Sequence, residues 1–401
     1  MFASPRWRWF AAGVFTISST LNYMDRTLIN VLAPVILTEL HLSQTGFGYL
    51  ISVFSLVYAV SSPVTGWFLD RVGLNRGISA AVAWWSAAGL GTSLVTTVPG
   101  LAVCRGALGL GESAGVPGFG KLNALYLEPD ERAIGAAVNQ IGLSVGAALC
   151  APLFVPVAAR YSWRVPFAIT GALGFVWIPL WLWTSRMISP RQKGEPDGER
   201  RGSLALLRDR NLILLVIANV LWMGGYSLWT NWTTLYLVHV HNLTVQESAR
   251  YVWIPPLVSN AGGFFGGWLS LRWIRRAYDP VVARTRAVWV SAAGSLVVLL
   301  LPFASGPGWA TVFISASFFF ALAGSVNIYA LPIDLFGAGN AALAASALTC
   351  AFGLLQTVIS PVIGYLGDHR LYNEVVWLAT VPLAMSATVL QILSKQRQTA
   401  A

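Results

Sequence analysis

The sequence predicts an all-α membrane protein of about twelve transmembrane helices in two six-helix bundles. Three observations predict it: sparse charge, apolar blocks of membrane-spanning length, and one long hydrophilic stretch that divides those blocks equally. Of the 401 residues, 56% are hydrophobic and only 10% are Asp, Glu, Lys or Arg, against about 25% charged in an ordinary soluble domain. A water-soluble fold of this length could not cover its surface with so little charge. The apolar residues run in blocks of about 20, the helix length that crosses a hydrocarbon core about 30 Å thick.

In chain order, Trp9–Leu37 follows Arg6 and Arg8. Gly46–Leu69 and Ile78–Thr97 are separated by Arg71 and Arg76, and Gly100–Tyr126 and Ala133–Ala159 by Arg132. Trp163–Thr184 completes the first six, and Asn211–Leu237 opens the second. Ser248–Leu271 and Ala287–Ala304 flank a basic segment with Arg272, Arg275, Arg276, Arg284 and Arg286. Trp309–Leu331, Ala338–Leu366 and Val375–Leu393 follow, the last ending before Lys395 and Arg397. With a cytoplasmic N-terminus, nearly all loop Arg and Lys fall inside, while the outside holds only Arg160, Arg164, Arg250 and Arg370. That asymmetry is the positive-inside pattern, so both termini are expected in the cytoplasm. The net charge of +10 is thus a topology signal and not a nucleic-acid footprint. No cleavable signal peptide is expected, because the first apolar stretch is too long and carries charge.

Ser185 to Arg210, rich in Arg, Glu, Gly and Pro, reads as a flexible cytoplasmic linker. It divides an N-terminal bundle, residues 1–184, from a C-terminal bundle, residues 211–401. The other connections are short, leaving no soluble mass for an enzymatic head. Cys104, Cys150 and Cys350 are odd in number and lie in apolar blocks, so neither a disulfide framework nor a metal site is expected. His41, His239, His241 and His369 fall in outside segments and are poor proton relays. No cofactor is expected. Weak internal symmetry links Gly66–Arg71 to Gly267–Arg272, and Pro152 to Pro361. The pairs Gly262-Gly263 and Gly266-Gly267 predict close helix packing, since no strand precedes them to form a phosphate cradle.

Buried charge is concentrated in the first half. Arg105 and Glu112 are seven residues apart, two helical turns, and project from one face with Gly109 between them. A charge at the bilayer centre costs about 2.5–3.5 kcal/mol, so such residues persist where they pair, face water or work. Asn22-Tyr23-Met24-Asp25-Arg26 places adjacent charges about 100° apart on a helix. In one arrangement Arg26 turns toward a central cavity, where its planar fork suits a carboxylate, and Asp25 faces the fourth span near Arg105 or Glu112. In the other, Asp25 and Arg26 neutralise each other. Gly66-x-x-x-Asp70-Arg71-x-Gly73-x-x-Arg76 forms a tight turn after the second span. Its Asp70 can face a helix N-terminus or an Arg across the bundle interface, as a latch that breaks when an inner gate opens. Lys121 is expected low in the fourth span, snorkelling to the cytoplasmic surface. The second half offers neutral groups: Tyr226, Trp229, Asn231, Trp232, Asn327, Tyr329 and Gln356. These suit sugar hydroxyls and rings, or serve as interfacial anchors and packing.

These residues resemble the anion:cation symporter family of the major facilitator superfamily, which includes hexuronate and galactonate transporters and sialin. The likeness runs through the first-span Asn22–Arg26 motif, Gly46–Tyr58, the Gly66–Arg76 turn, Arg105–Glu112 with Pro117, and Glu131-Arg132. In the second half it touches Trp232–Leu237, where Thr234 stands in place of a proline, with Leu257–Ser270 and Leu331–Leu335. The resemblance implies six-plus-six helices with a site at the midplane between the halves. It also implies proton coupling at Asp25 and Glu112 and an anion site at Arg26 and Tyr58. The elimination of histidine points to the same two carboxylates. The expected function is proton-coupled symport of an organic anion, a sugar acid, by a monomer in a bacterial inner membrane. Arg105, Asn231, Trp232, Asn327, Tyr329 and Gln356 complete the expected substrate contacts. Gly66, Asp70, Arg71, Gly73 and Arg76 form the expected gate. Alternatives are a uniporter or antiporter of another small solute, such as a monocarboxylate or drug, and a membrane sensor that transports nothing.

Overall fold

The computed structural model describes residues 5–128, 131–187 and 203–400. Most of the expected linker, with Arg191, Lys193, Arg200 and Arg201, lies outside the described residues. Among those residues every regular element is a helix. The chain divides into two compact units, Met1–Gly194 with Leu243–Trp253, and Glu195–Asn242 with Ile254–Ala401.

In the first unit, α1 (Pro5–Val31) leads through a short α2 (Ala33–Glu39) into α3 (Gln44–Val72) and α4 (Leu74–Leu94). The expected fourth span is broken into α5 (Val98–Glu112) and α6 (Gly115–Tyr126). Pro117 lies in the first turn of α6; with no N–H to donate, it favours a helix start at that position. Then come α7 (Arg132–Arg160) and α8 (Arg164–Arg186). After the short α9 (Ser203–Leu207), the second unit opens with α10 (Arg210–His241). The short α11 (Val245–Ser248) clusters with the first unit. The second unit resumes with α12 (Ile254–Ile274), α13 (Pro280–Ser295) and a 3₁₀ continuation, Leu296–Phe303. It ends with α14 (Pro307–Ile328), α15 (Leu331–Phe336), α16 (Ala338–Asp368) and α17 (Tyr372–Ala400).

Among the described residues, eight helical segments are long and apolar enough to cross a membrane by themselves. The other expected spans fall short for visible reasons. The helix α1 carries Asn22, Asp25 and Arg26, α5 and α6 are halves of one span, and α4 and α12 are rich in Gly, Ser and Trp. His239 and His241, expected outside the spans, form the last turn of the 32-residue α10.

Helices in lipid gain little from apolar burial against one another and depend on close approach through small residues. The helices α1 and α7 meet where Gly146 presses on the Thr20 carbonyl, leaving no room for a Cβ. The α12–α14 seam does the same with Gly262 against the Phe319 carbonyl and Gly266 against the Ala323 carbonyl, as the glycine pairs predicted. Buried aromatic side chains supply much of the remaining packing, including Trp177 stacked on Trp181 at 5.6 Å between centroids. The Trp177 indole also donates to the Val14 carbonyl at 2.7 Å, tying α8 to α1.

Polar clasps close the loops. At the end of α2, Glu39 accepts hydrogen bonds from Arg164 and from the Trp163 indole. Arg164 also donates to the Val95 carbonyl through Nε at 3.0 Å. The Arg164 hydrogen bond holds the Glu39 carboxyl below the usual carboxylate range. The second unit also has a charged clasp, outside the expected spans: Arg284 Nε donates to the Asp334 carboxylate, joining α13 to α15 with both side chains largely buried.

Replacing Gly262 with Val is expected to destabilise the α12–α14 seam by about 1–3 kcal/mol, read as a lower Tm of the purified protein in detergent. A Glu39→Gln change is also expected to lower Tm at neutral pH. Because the folded-state pKa of Glu39 is depressed, its contribution exists above the ordinary carboxylate range and is lost as pH falls through the depressed value. The Tm difference between Glu39→Gln and the parent is therefore expected to close in acid.

Candidate functional site

The first unit contains a cavity of about 460 Å³ of empty space, including solvent at its mouth. Three elements build its charged end. The helix α1 brings Arg26, with Asn22 and Tyr23 one turn before it; α3 brings Tyr58; and α5 ends on Glu112. Arg26 donates through Nε at 3.2 Å and Nη2 at 3.1 Å to the same Glu112 oxygen, Oε2. The Glu112 side chain is completely buried, whereas the Arg26 side chain keeps 23% of its surface. The pair is thus open on the arginine side only. The Arg26 guanidinium lies 4.7 Å from the Tyr58 ring centre and 5.2 Å from that of Tyr23. Aromatic faces attract a cation electrostatically, so these rings hold the fork in place.

The structure decides between the two sequence arrangements of Asp25 and Arg26. They do not neutralise each other. Asp25 is 2% exposed and lies beside Thr170 of α8; neither of its oxygens forms a geometrically sound hydrogen bond. Arg105, 3% exposed, sits with its guanidinium 4.5 Å from the centre of the Phe54 ring. Its Nε and Nη1 have no hydrogen-bond partner among the described residues. Phe54 is also 4.9 Å from the Arg26 guanidinium, so one ring separates the two cations. Neither Asp25 nor Arg105 lines the cavity; Arg26, Tyr58 and Glu112 do. If all four charged groups are ionised, their charges cancel.

The expected gating turn is formed as a tight turn. Gly73, at φ +91°, ends α3 and begins α4 in a conformation that side-chain-bearing residues rarely adopt. Gly66 approaches Pro117 of α6, where a Cβ would still fit. Arg71 lies over the Trp67 ring and Arg76 is exposed. The partner of Asp70 differs from the sequence expectation: it is Lys121 of α6, at 2.9 Å. Lys121 also donates to the Leu69 carbonyl at 2.6 Å, so it caps the end of α3 and does not simply snorkel. Lys121 lies in α6, beyond the break after Glu112. Asn75 accepts a hydrogen bond from the Tyr126 hydroxyl.

In the second unit, Gln356 of α16 donates to the Ser227 hydroxyl at 2.9 Å, and Asn231 donates to the Ser227 carbonyl at 3.0 Å. These two expected contacts therefore meet through a serine that the sequence did not single out. Trp232 is buried in the same helix. Tyr329 caps α14 and packs against the apolar core of the unit. Asn327 is fully buried, and its amide donates to the carbonyls of Gly266 at 3.0 Å and Ala323 at 2.9 Å. It fastens α14 to α12 at the glycine seam, a packing role where the sequence reading expected a substrate contact.

A family model described as Major Facilitator Superfamily matches residues 15–356. The hexuronate transporter of Escherichia coli (strain K12) is 28% identical over 383 residues, covering 90% of this chain and 88% of the relative. The galacturonate transporter of Dickeya chrysanthemi is 27% identical over 332 residues, covering 79% of this chain and 94% of the relative. A crystal structure of a bacterial homolog to the human lysosomal transporter Spinster matches with a TM-score of 0.78 at 19% identity, covering 98% of each chain. At that identity the likeness shows the fold alone.

Replacing Asn327 with Leu leaves the packing volume but removes two hydrogen bonds across a buried seam. It is expected to cost about 1–3 kcal/mol of stability, measured as a Tm decrease, while substrate affinity in the surviving folded protein stays within about twofold of the parent.

Proposed function

We propose a sugar-acid transport function for this chain, which belongs to the Major Facilitator Superfamily, with protons moving in the same direction as the acid. The family makes the chain a multi-pass membrane transport protein and not an enzyme. The sugar-acid reading draws on the hexuronate and galacturonate transporters to which it is similar, and on the cavity's chemistry. The proposed setting is a bacterial inner membrane, with both termini cytoplasmic and a monomer as the working unit.

The observation that carries the coupling is the Arg26–Glu112 pair, open to the cavity on the arginine side alone. With Glu112 ionised, two of the Arg26 donors are engaged by a single oxygen of that carboxylate. An incoming carboxylate must share the fork with a buried anion. A proton on Glu112 removes that competition and leaves the cluster of Asp25, Arg26, Arg105 and Glu112 with one net positive charge. A monoanion then restores neutrality. Proton and substrate binding thus favour each other, and linkage makes the effect reciprocal. Asp25, buried without a cation in contact, is the proposed second proton carrier. Arg105 serves as a fixed cation behind Phe54, balancing whichever carboxylate is ionised. Tyr58 orients the Arg26 fork, and Asn231, Gln356, Trp232 and Tyr329 are proposed to meet the substrate's hydroxyls and ring. The turn from Gly66 to Arg76 is the proposed gate. The Asp70 side chain is 77% exposed, so it can exchange Lys121 for another cation at little cost in desolvation.

In proteoliposomes with an imposed inward proton gradient, galacturonate is expected to accumulate above its external concentration, and an uncoupler to abolish the accumulation. Equilibration without accumulation would instead support a uniporter, and absence of counterflow a sensor. Substrate affinity of the parent is expected to rise as pH falls, because protonated Glu112 releases Arg26. In Glu112→Gln that dependence should flatten and uphill accumulation should be lost, while Arg26→Ala should lose substrate binding altogether. A Glu112→Gln protein that still concentrates substrate would overturn the assignment.

A further inference from the structure

We infer that the first-unit cavity carries a second subsite, built from Asn22, Ser19 and Asn139, which reads hydroxyl groups and selects long polyhydroxy acids over short ones. This rests on the sugar-acid reading above and adds to it how the cavity recognises chain length. Asn22 is 7% exposed and lines the cavity, and its amide nitrogen has no partner among the described residues. A buried donor left unsatisfied costs about 1–3 kcal/mol, and native proteins leave few such groups without a reason. A substrate hydroxyl accepting from Asn22 supplies one.

The next turn repeats the chemistry. Ser19, 8% exposed, donates its hydroxyl to Asn139 Oδ1 of α7 at 2.7 Å. That bond orients the Asn139 amide so that its nitrogen remains the donor, and both residues line the cavity. Ser18, on the same wall, donates its hydroxyl to the Phe15 carbonyl and is already engaged. Val116 and Leu143 offer apolar surfaces for C–H faces, and Trp85, also in the lining, adds an indole N–H that has no partner among the described residues.

Spacing on α1 turns these groups into a ladder. Arg26, Asn22 and Ser19 stand at i, i−4 and i−7, one helical face. At 1.5 Å of rise per residue, Asn22 lies about 6 Å and Ser19 about 10 Å along the axis from Arg26. The carbon chain of a six-carbon acid spans about 6 Å when extended. With its carboxylate on the long Arg26 side chain, its distal hydroxyls come within reach of Asn22 and of the Ser19–Asn139 pair. A two-carbon acid cannot engage both ends at once. A site whose donors expect hydroxyls disfavours a ligand that leaves them unpaired.

The test measures the dissociation constants of D-galacturonate and glycolate for the full-length protein, the parent beside Asn22→Leu and Asn139→Leu. Each substitution is expected to reduce the galacturonate preference, the ratio of the two affinities, about tenfold, the equivalent of one hydrogen bond. Asn22→Ser, which keeps a donor, should hold the ratio within about threefold of the parent. Asn139 is only partly buried, so its variant tests the subsite even if Asn22→Leu fails to fold. Variants that keep the parent ratio would overturn the subsite, as would a parent that binds glycolate as tightly as galacturonate; both results leave the transport reading standing. A parent that binds neither acid removes the sugar-acid reading and the subsite with it.

Discussion

The ion pair between Arg26 and Glu112 is the constraint to which the rest of the first unit is fitted. A carboxylate with no exposed surface stays ionised in a membrane protein only where a cation or hydrogen bonds compensate it, since breaking one side of such a pair costs about 3–5 kcal/mol. The long Arg26 side chain of α1 reaches Glu112 at the end of α5, and aromatic rings from α3 and α1 flank the guanidinium: Tyr58, Phe54 and Tyr23. The remaining opening on the arginine side is what makes the arrangement a site and not merely a strut.

Away from that pair, the two units are built by the same physical means. Neither has a hydrophobic driving force to gather its helices in lipid, so both rely on glycine contacts that let backbones meet and on buried hydrogen bonds from indoles and amides. Trp177 on Val14 in the first unit and Trp222 on Ala321 in the second are such bonds, each at 2.7 Å. The seam fastened by Asn327 shows how the amide hydrogens of a polar residue in a span can belong to packing. Among the described residues, the Asn22 amide nitrogen, both Asp25 oxygens and two Arg105 nitrogens in the first unit lack hydrogen-bond partners, whereas at Asn327 only the amide oxygen does.

Several features could be read from the chain because they are local. Helix length and hydropathy, the basic loops and the Gly73 turn depend on residues near one another in sequence. The placement of Arg26 and Glu112 on inward faces was also readable, because buried charge has few tolerable environments. The partner of Asp70 was not readable: Lys121 is 51 residues away, on another helix. Pro117 was the available signal for the start of α6. The Arg284–Asp334 pair and the Ser19–Asn139 bond were missed for the same reason, since neither partner betrays the other by spacing.

The sequence by itself therefore determined the class of the protein, its helical, membrane-spanning character and the short list of buried charges, because the cost of charge and of unpaired backbone in hydrocarbon permits little else. Only the tertiary structure decided which of those charges meet. It set Arg26 against Glu112 and left Asp25 without a hydrogen bond. It committed Asn327 to a helix seam and gathered Asn22, Ser19 and Asn139 along one wall. The physical reason is that contact between helices depends on crossing points and side-chain direction, set by packing among residues far apart in sequence: 86 positions for Arg26 and Glu112, 61 for Asn327 and Gly266, and 120 for Ser19 and Asn139.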